Sequence, residues 1–134
     1  MIAPNGKWMA YGSNESNQNE VYVRPFPAVD SARWTISVNG GTEPMWSRSG
    51  RELFFRTQSG DMMAVPIAAG SAFQAGTPVK LFNAPYLLSE DRHHSYDISL
   101  NDQQFIMIRN SQKSAQTLGV VVNWGAEIER LTRK

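Results

Sequence analysis

The stretch Trp46-Ser47-Arg48-Ser49-Gly50-Arg51-Glu52-Leu53-Phe54-Phe55 decides how the rest of the chain is read. An apolar residue and a small one lead into a polar turn, and the strand that follows is apolar at its end. Glycine accepts the positive φ that a tight turn demands, so Gly50 marks where the chain reverses. The same order occurs upstream in Ile2-Ala3-Pro4-Asn5-Gly6-Lys7-Trp8-Met9-Ala10-Tyr11 and downstream in Ile98-Ser99-Leu100-Asn101-Asp102-Gln103-Gln104-Phe105-Ile106-Met107. Aligned on Gly6, Gly50 and Asp102, the copies lie 44 and 52 residues apart. Two further correspondences follow in order: Val23-Arg24-Pro25-Phe26 with Val65-Pro66-Ile67, and Trp34–Val38 with Val79–Phe82.

Working outward, short β-type runs separated by turn signals predict strands near Trp8–Tyr11, Glu20–Phe26, Trp34–Val38, Pro44–Trp46, Glu52–Thr57, Met62–Pro66, Pro78–Phe82, Ser95–Ser99, Gln104–Arg109 and Leu118–Trp124. Asn39-Gly40-Gly41, Ser49-Gly50 and Ser59-Gly60-Asp61 are the best hairpin signals. Phe54-Phe55, Met62-Met63 and Val120-Val121-Val122 are apolar at successive positions, as strands covered on both faces require. Pro25 and Pro66 lack an N–H and suit strand ends. A period of about 40–50 residues with four strands per unit is the mark of propeller blades, which cannot bury themselves alone and stack on neighbours. The expected fold is all-β: about two and a half four-stranded antiparallel propeller-type blades, with a short C-terminal helix. The blade segments would be 1–42, 43–92 and 93–124 of a single partial propeller domain, with the helix over 125–134.

Composition agrees with this reading. The chain has 134 residues, a length for one domain, and Gly, Pro, Asn and Ser supply 39 of them, which disfavours helix bundles. No run approaches the ~18 apolar residues of a membrane span. Thirteen basic residues against twelve acidic ones give no field that points to nucleic acid or an anionic membrane. Zero cysteines exclude a disulfide framework, thiolate catalysis and Cys-ligated zinc. Met1-Ile2-Ala3-Pro4-Asn5-Gly6 has neither a basic n-region nor an apolar h-region, so no export signal is expected and the cytoplasm is the default compartment.

The stretch Glu43-Pro44-Met45-Trp46-Ser47-Arg48-Ser49-Gly50-Arg51-Glu52-Leu53-Phe54-Phe55 resembles the core of TolB-type, WD40-like β-propeller repeats, and Asn19-Glu20-Val21-Tyr22-Val23-Arg24-Pro25-Phe26-Pro27 is similar to their outer-strand motif. Phe73-Gln74-Ala75-Gly76-Thr77-Pro78-Val79-Lys80-Leu81-Phe82 and Tyr96-Asp97-Ile98-Ser99 look like the C-terminal blades of bacterial propellers often attached to serine/threonine kinase domains. Val120-Val121-Val122-Asn123-Trp124 resembles how such chains end. The usual Ser-Pro-Asp-Gly turn is kept in full by none of the three copies here. In the family's strand order, this chain would supply the last three strands of one blade, all four of the next and the first three of a third. The resemblance implies a binding platform rather than a particular activity.

Residues that could carry chemistry are few. His93-His94, with Glu90, Asp91 and Arg92, forms the one cluster that suggests a metal or acid–base work. Adjacent side chains on extended chain point to opposite sides, and neither an HxH nor an HExxH spacing is present, so a polar loop is the expectation. There is no GxSxG elbow, and Ser47, Ser49 and Asp102 sit in repeat turns. Arg24, Arg33, Arg48, Arg51 and Arg56 lie near Trp8, Trp34 and Trp46, yet the tryptophans fall within strands, where packing accounts for them. Asn14-Glu15-Ser16 fits the glycosylation triplet and marks an exposed loop.

The expectation is a non-enzymatic protein-binding or scaffold module with no cofactor and no metal. Its binding residues would be Glu43, Arg92, His93 and His94, which precede inner strands in two successive blades. The alternative is an accessory or gating propeller fragment of a separate kinase or prolyl-oligopeptidase-like hydrolase. Open blade edges must be paired or covered, so a homo-oligomer in which two copies complete a ring is also expected.

Overall fold

The aligned turns adopt one conformation. Gly6, Gly50 and Asp102 hold φ values of 69°, 71° and 56°, and in each turn the residue there donates its N–H to the carbonyl three residues back: Ala3, Ser47 and Ser99, at 2.9, 3.0 and 3.0 Å. The N–H groups of Ala3, Ser47 and Ser99 in turn donate to the carbonyls of Trp8, Glu52 and Gln104. One residue earlier, Ile2 pairs Met9, Trp46 pairs Leu53 and Ile98 pairs Phe105, all antiparallel. The three hairpins predicted from the repeat are therefore the same hairpin, hydrogen bond for hydrogen bond.

These hairpins belong to a computed structural model that describes residues 1–83, 85–88 and 93–109 and the backbone of 117–122. Its strands are β1 (Trp8–Ser13), β2 (Glu20–Pro25), β3 (Trp34–Thr35), β4 (Thr42–Trp46), β5 (Glu52–Arg56), β6 (Asp61–Pro66), β7 (Val79–Asn83), β8 (Tyr96–Ile98), β9 (Gln104–Arg109) and β10 (Thr117–Val122). They form three antiparallel sheets, ordered β1-β2-β3, β4-β5-β6-β7 and β10-β9-β8. Asn39, Gly40 and Gly60 take positive φ in the turns where the sequence placed them. Pro25 and Pro66 are the last residues of β2 and β6, where a missing donor costs nothing to the ladder. The expected 125–134 helix, Asn123-Trp124 and the 89–92 segment lie outside the described residues.

The four-stranded sheet lies between the other two and is buried on both faces. Side chains alternate along a strand, so Leu53, Phe55, Val65 and Ile67 face the first sheet, where they meet Ala10, Val21 and Val23. Phe54, Met62 and Ala64 face the opposite way and meet Tyr96, Ile98, Phe105 and Met107 of the third sheet. This two-sided burial explains the unbroken apolar runs, each large side chain contributing ~1.5–3 kcal/mol. A rim of aromatic contacts closes the outer side of the first core, with Trp34 against Phe73 at 4.8 Å and Trp8 edge-on to Trp34 at 5.7 Å.

One strand is shorter than its sequence suggests. β3 ends at Thr35 although apolar alternation continues to Val38, which is 75% exposed. The reason is Ser37, whose side-chain hydroxyl, in place of a backbone carbonyl, accepts the Val21 N–H at 2.8 Å and donates to the buried Glu20 carboxylate. Glu20 also accepts the Gly40 N–H at 2.9 Å, and the Gly41 N–H donates to the Asn19 carbonyl at 2.8 Å, so a side chain and the main chain together hold the β3–β4 connection. Among the described residues no helix is long and apolar enough to cross a membrane.

Candidate functional site

Glu43 begins the site. It sits in β4 at φ 54°, where the β4–β5 register shifts between Thr42 and Met45. The irregularity turns its carboxylate toward the third sheet, and it is only 4% exposed. There it accepts the Ser95 hydroxyl at 2.8 and 3.0 Å and the Ser95 N–H at 3.4 Å. The Glu43 carbonyl accepts the Tyr96 hydroxyl at 2.7 Å, and the next carbonyl, of Pro44, lies 2.7 Å from His94 Nε2. Burial pushes the Tyr96 phenol well above its ordinary pKa, and the Glu43 and Asp97 charges add to the shift.

Behind this pair lies Arg56, which closes the apolar run Leu53-Phe54-Phe55 at the end of β5 and is fully buried. Its guanidinium donates to the carbonyls of Leu87, Tyr86 and Gly60 and to the Ser95 hydroxyl, while its Nε has no partner. Burial lowers its pKa, and the Glu43 carboxylate opposes that shift. Ser95 therefore bonds both charged side chains, tying β4 and β5 to the start of β8.

A cavity of about 660 Å³ opens beside this network. One wall is Ala10–Gly12 of β1 and the other is Gly41–Pro44 at the start of β4, with Asn14, Asn19 and Gln58 supplying amides and His94 and Leu88 standing at the rim. Glu43 and His94, two of the four residues expected from sequence, thus meet at one cavity. Glu43 uses its carboxylate internally rather than offering it to solvent. His93 is exposed and is not one of the lining residues, and Arg92 lies outside the described residues. Among the described residues no group of three His, Cys, Asp or Glu side chains is placed to hold a metal ion.

Sequence reasoning missed Arg56, Ser95 and the β1 wall. Arg56 carried a readable signal, a lone cation closing the run Leu53-Phe54-Phe55. Ser95 and Gly12 carried none, since their roles come from strands distant in sequence.

Fold and site together define an all-β domain of three stacked antiparallel sheets with a cavity of mixed polar and apolar lining between the edge strands β1 and β4. Comparison with protein-family models and with curated proteins finds no match for this chain.

Proposed function

We propose that this chain is a non-enzymatic protein-binding or scaffold module built from TolB-like propeller repeats. The observation that carries the reading is the cavity between β1 and β4, where inner strand edges, three amide side chains and His94 converge beside the internally paired Glu43. A concave site at strand ends, with a few convergent polar groups, suits recognition of a partner segment. The threefold recurrence of one hairpin, stacked face to face, supports the propeller-repeat reading.

Selection from a phage-displayed peptide library tests the proposal. Enriched sequences should lose binding to the His94→Ala variant, whose altered side chain is on the surface. Absence of enrichment, or enriched peptides indifferent to that substitution, would overturn it. Hydrolysis of ester or peptide substrates by the purified chain, abolished by a substitution in this cavity, would overturn it as well.

A further inference from the structure

Of the nine asparagines in the chain, Asn5 and Asn39 precede glycine. Asparagine is a thermolabile residue, and most so in this setting. The nitrogen of the next residue attacks the side-chain carbonyl carbon, and glycine has no side chain to obstruct the approach. The fold gives the two pairs different partners.

At the first pair the reacting groups are engaged elsewhere. The Asn5 side-chain oxygen accepts the Lys7 N–H at 2.9 Å, and the Gly6 N–H donates to the neutral Ala3 carbonyl at 2.9 Å. At the second pair the positive φ of Asn39 and Gly40, 62° and 106°, folds the chain back toward the start of β2. There the Gly40 N–H donates to the Glu20 carboxylate at 2.9 Å, which is the reach a general base needs toward the proton it removes. Glu20 is only 8% exposed, and its second oxygen accepts the Ser37 hydroxyl. Among the described residues no cation forms an ion pair with it. The Asn39 side chain is exposed, and no hydrogen bond among the described residues holds it.

We propose that Asn39 is a self-modifying site, converted to aspartate and isoaspartate with Glu20 as the general base. Glu20 takes the proton as the Gly40 nitrogen attacks Asn39 Cγ, and the new N–C bond closes a succinimide ring. The bond from Cγ to the side-chain nitrogen breaks, and that nitrogen leaves as ammonia with the proton Glu20 had taken. Water then opens the ring at either carbonyl, giving aspartate or, with the main chain routed through the β-carbon, isoaspartate. Water is consumed and ammonia released, and no other reactant enters. Either product places a new carboxylate near Glu20, and isoaspartate lengthens the main chain just ahead of Gly41. Gly41 has little room to adjust: its N–H is bonded to the Asn19 carbonyl, and a Cβ there would stand 2.5 Å from Ser37 Cβ. Conversion therefore loosens the β3–β4 connection between the first two sheets.

The test incubates the 134-residue chain and follows both sites by tryptic mapping, in which Met1–Lys7 carries Asn5 and Trp34–Arg48 carries Asn39. Asn39 should convert at least about tenfold faster than Asn5 in the folded chain. Glu20→Gln keeps an oxygen for the Gly40 N–H but takes no proton. It should slow Asn39 by about tenfold or more and leave Asn5 unchanged. Because the base is internal, the parent's rate at Asn39 should stay level between pH 6 and 8. The rate at Asn5, which draws on hydroxide, should rise steeply over the same range. In urea the two sites should convert alike.

Conversion at Asn39 no faster than at Asn5, or as fast in Glu20→Gln as in the parent, would overturn the proposal. An Asn39 rate that climbs with hydroxide as Asn5 does would overturn it too, and this profile decides alone if Glu20→Gln fails to fold. A difference between the sites that persists in urea would trace it to flanking sequence rather than to Glu20, again overturning it.

Discussion

Asp102 reaches from the third sheet to Ser49 of the middle one: its Oδ2 accepts the Ser49 backbone N–H at 2.9 Å while Oδ1 accepts that of Arg48 at 2.6 Å. The two residues lie in equivalent turns of the repeat, so one hairpin turn is strapped to the next. Asp102 is itself in the left-handed region, φ 56°, which Asp and Asn tolerate far better than Ala. Asp102→Ala should lower unfolding stability by about 1–2 kcal/mol, from lost charge-assisted bonds and backbone strain, and Asp102→Asn by less. Urea denaturation of the two variants decides; an Asp102→Asn variant as stable as the parent would mean the strap contributes nothing beyond backbone conformation.

The buried Arg56–Ser95–Glu43 network should behave as a unit. Arg56→Met leaves the Glu43 carboxylate without its nearby cation, at a cost of about 3–5 kcal/mol. Adding Glu43→Gln to that background should restore part of the loss. A double-mutant cycle in which the two substitutions add to within about 0.5 kcal/mol would show that the groups are uncoupled.

Gly41 and Gly12 should respond oppositely to the same change. A Cβ at Gly41 would stand 2.5 Å from Ser37 Cβ and 3.1 Å from the Phe55 ring, in the core between the first two sheets. Gly41→Ala is therefore expected to cost about 1–3 kcal/mol, through overpacking and displacement of the Ser37–Glu20 bond. Gly12→Ala, with open space around it, should stay within about 0.5 kcal/mol of the parent. Thermal or urea unfolding separates them.

Asp61 gives a pH signature. Lys80 and Asn83 hydrogen-bond its carboxylate at 2.7 and 2.6 Å and hold its pKa below the usual carboxylate range, with Ser59 adding a weaker bond. The folded state thus favours the ionised form. Its stabilisation is complete above the unfolded carboxyl pKa of ~3.9 and disappears as pH falls through the lower folded value. The melting-temperature gap between the parent and Asp61→Asn should be open at neutral pH, close on acidification below about 4, and shrink in high salt. A gap independent of pH from 7 to 2 would reject the assignment.

The outward faces of the stack carry a prediction about assembly. Ile106 of β9, equivalent to the buried Phe54, is 41% exposed, and Ile2 on the far side of the first sheet is 47% exposed. A second copy that laid one face on the other would repeat the two interfaces already inside the chain, a head-to-tail contact able to close into a ring. Light scattering should show a species larger than 15.0 kDa that Ile106→Glu dissociates. A monomer at tens of micromolar in the parent would reject this.

Strand positions and hairpin turns were legible in the sequence, because both are local. A turn needs a residue tolerant of positive φ, and Gly6, Gly50 and Asp102 sit at matching places in a repeated pattern. Apolar runs such as Leu53-Phe54-Phe55 announced burial on two faces by failing to alternate. The site was legible only in part. Glu43 and His94 stand out as polar residues ahead of inner strands, but nothing local says that Glu43 turns inward to Ser95. That depends on the irregular β4 register and on a strand 52 residues away. Hydrogen-bond alternation is a property of one strand, but whether a neighbour lies alongside is a property of how the sheets are assembled. Local chemistry specified the repeating hairpin, and the stacking of its copies decided which polar groups are buried and which are paired.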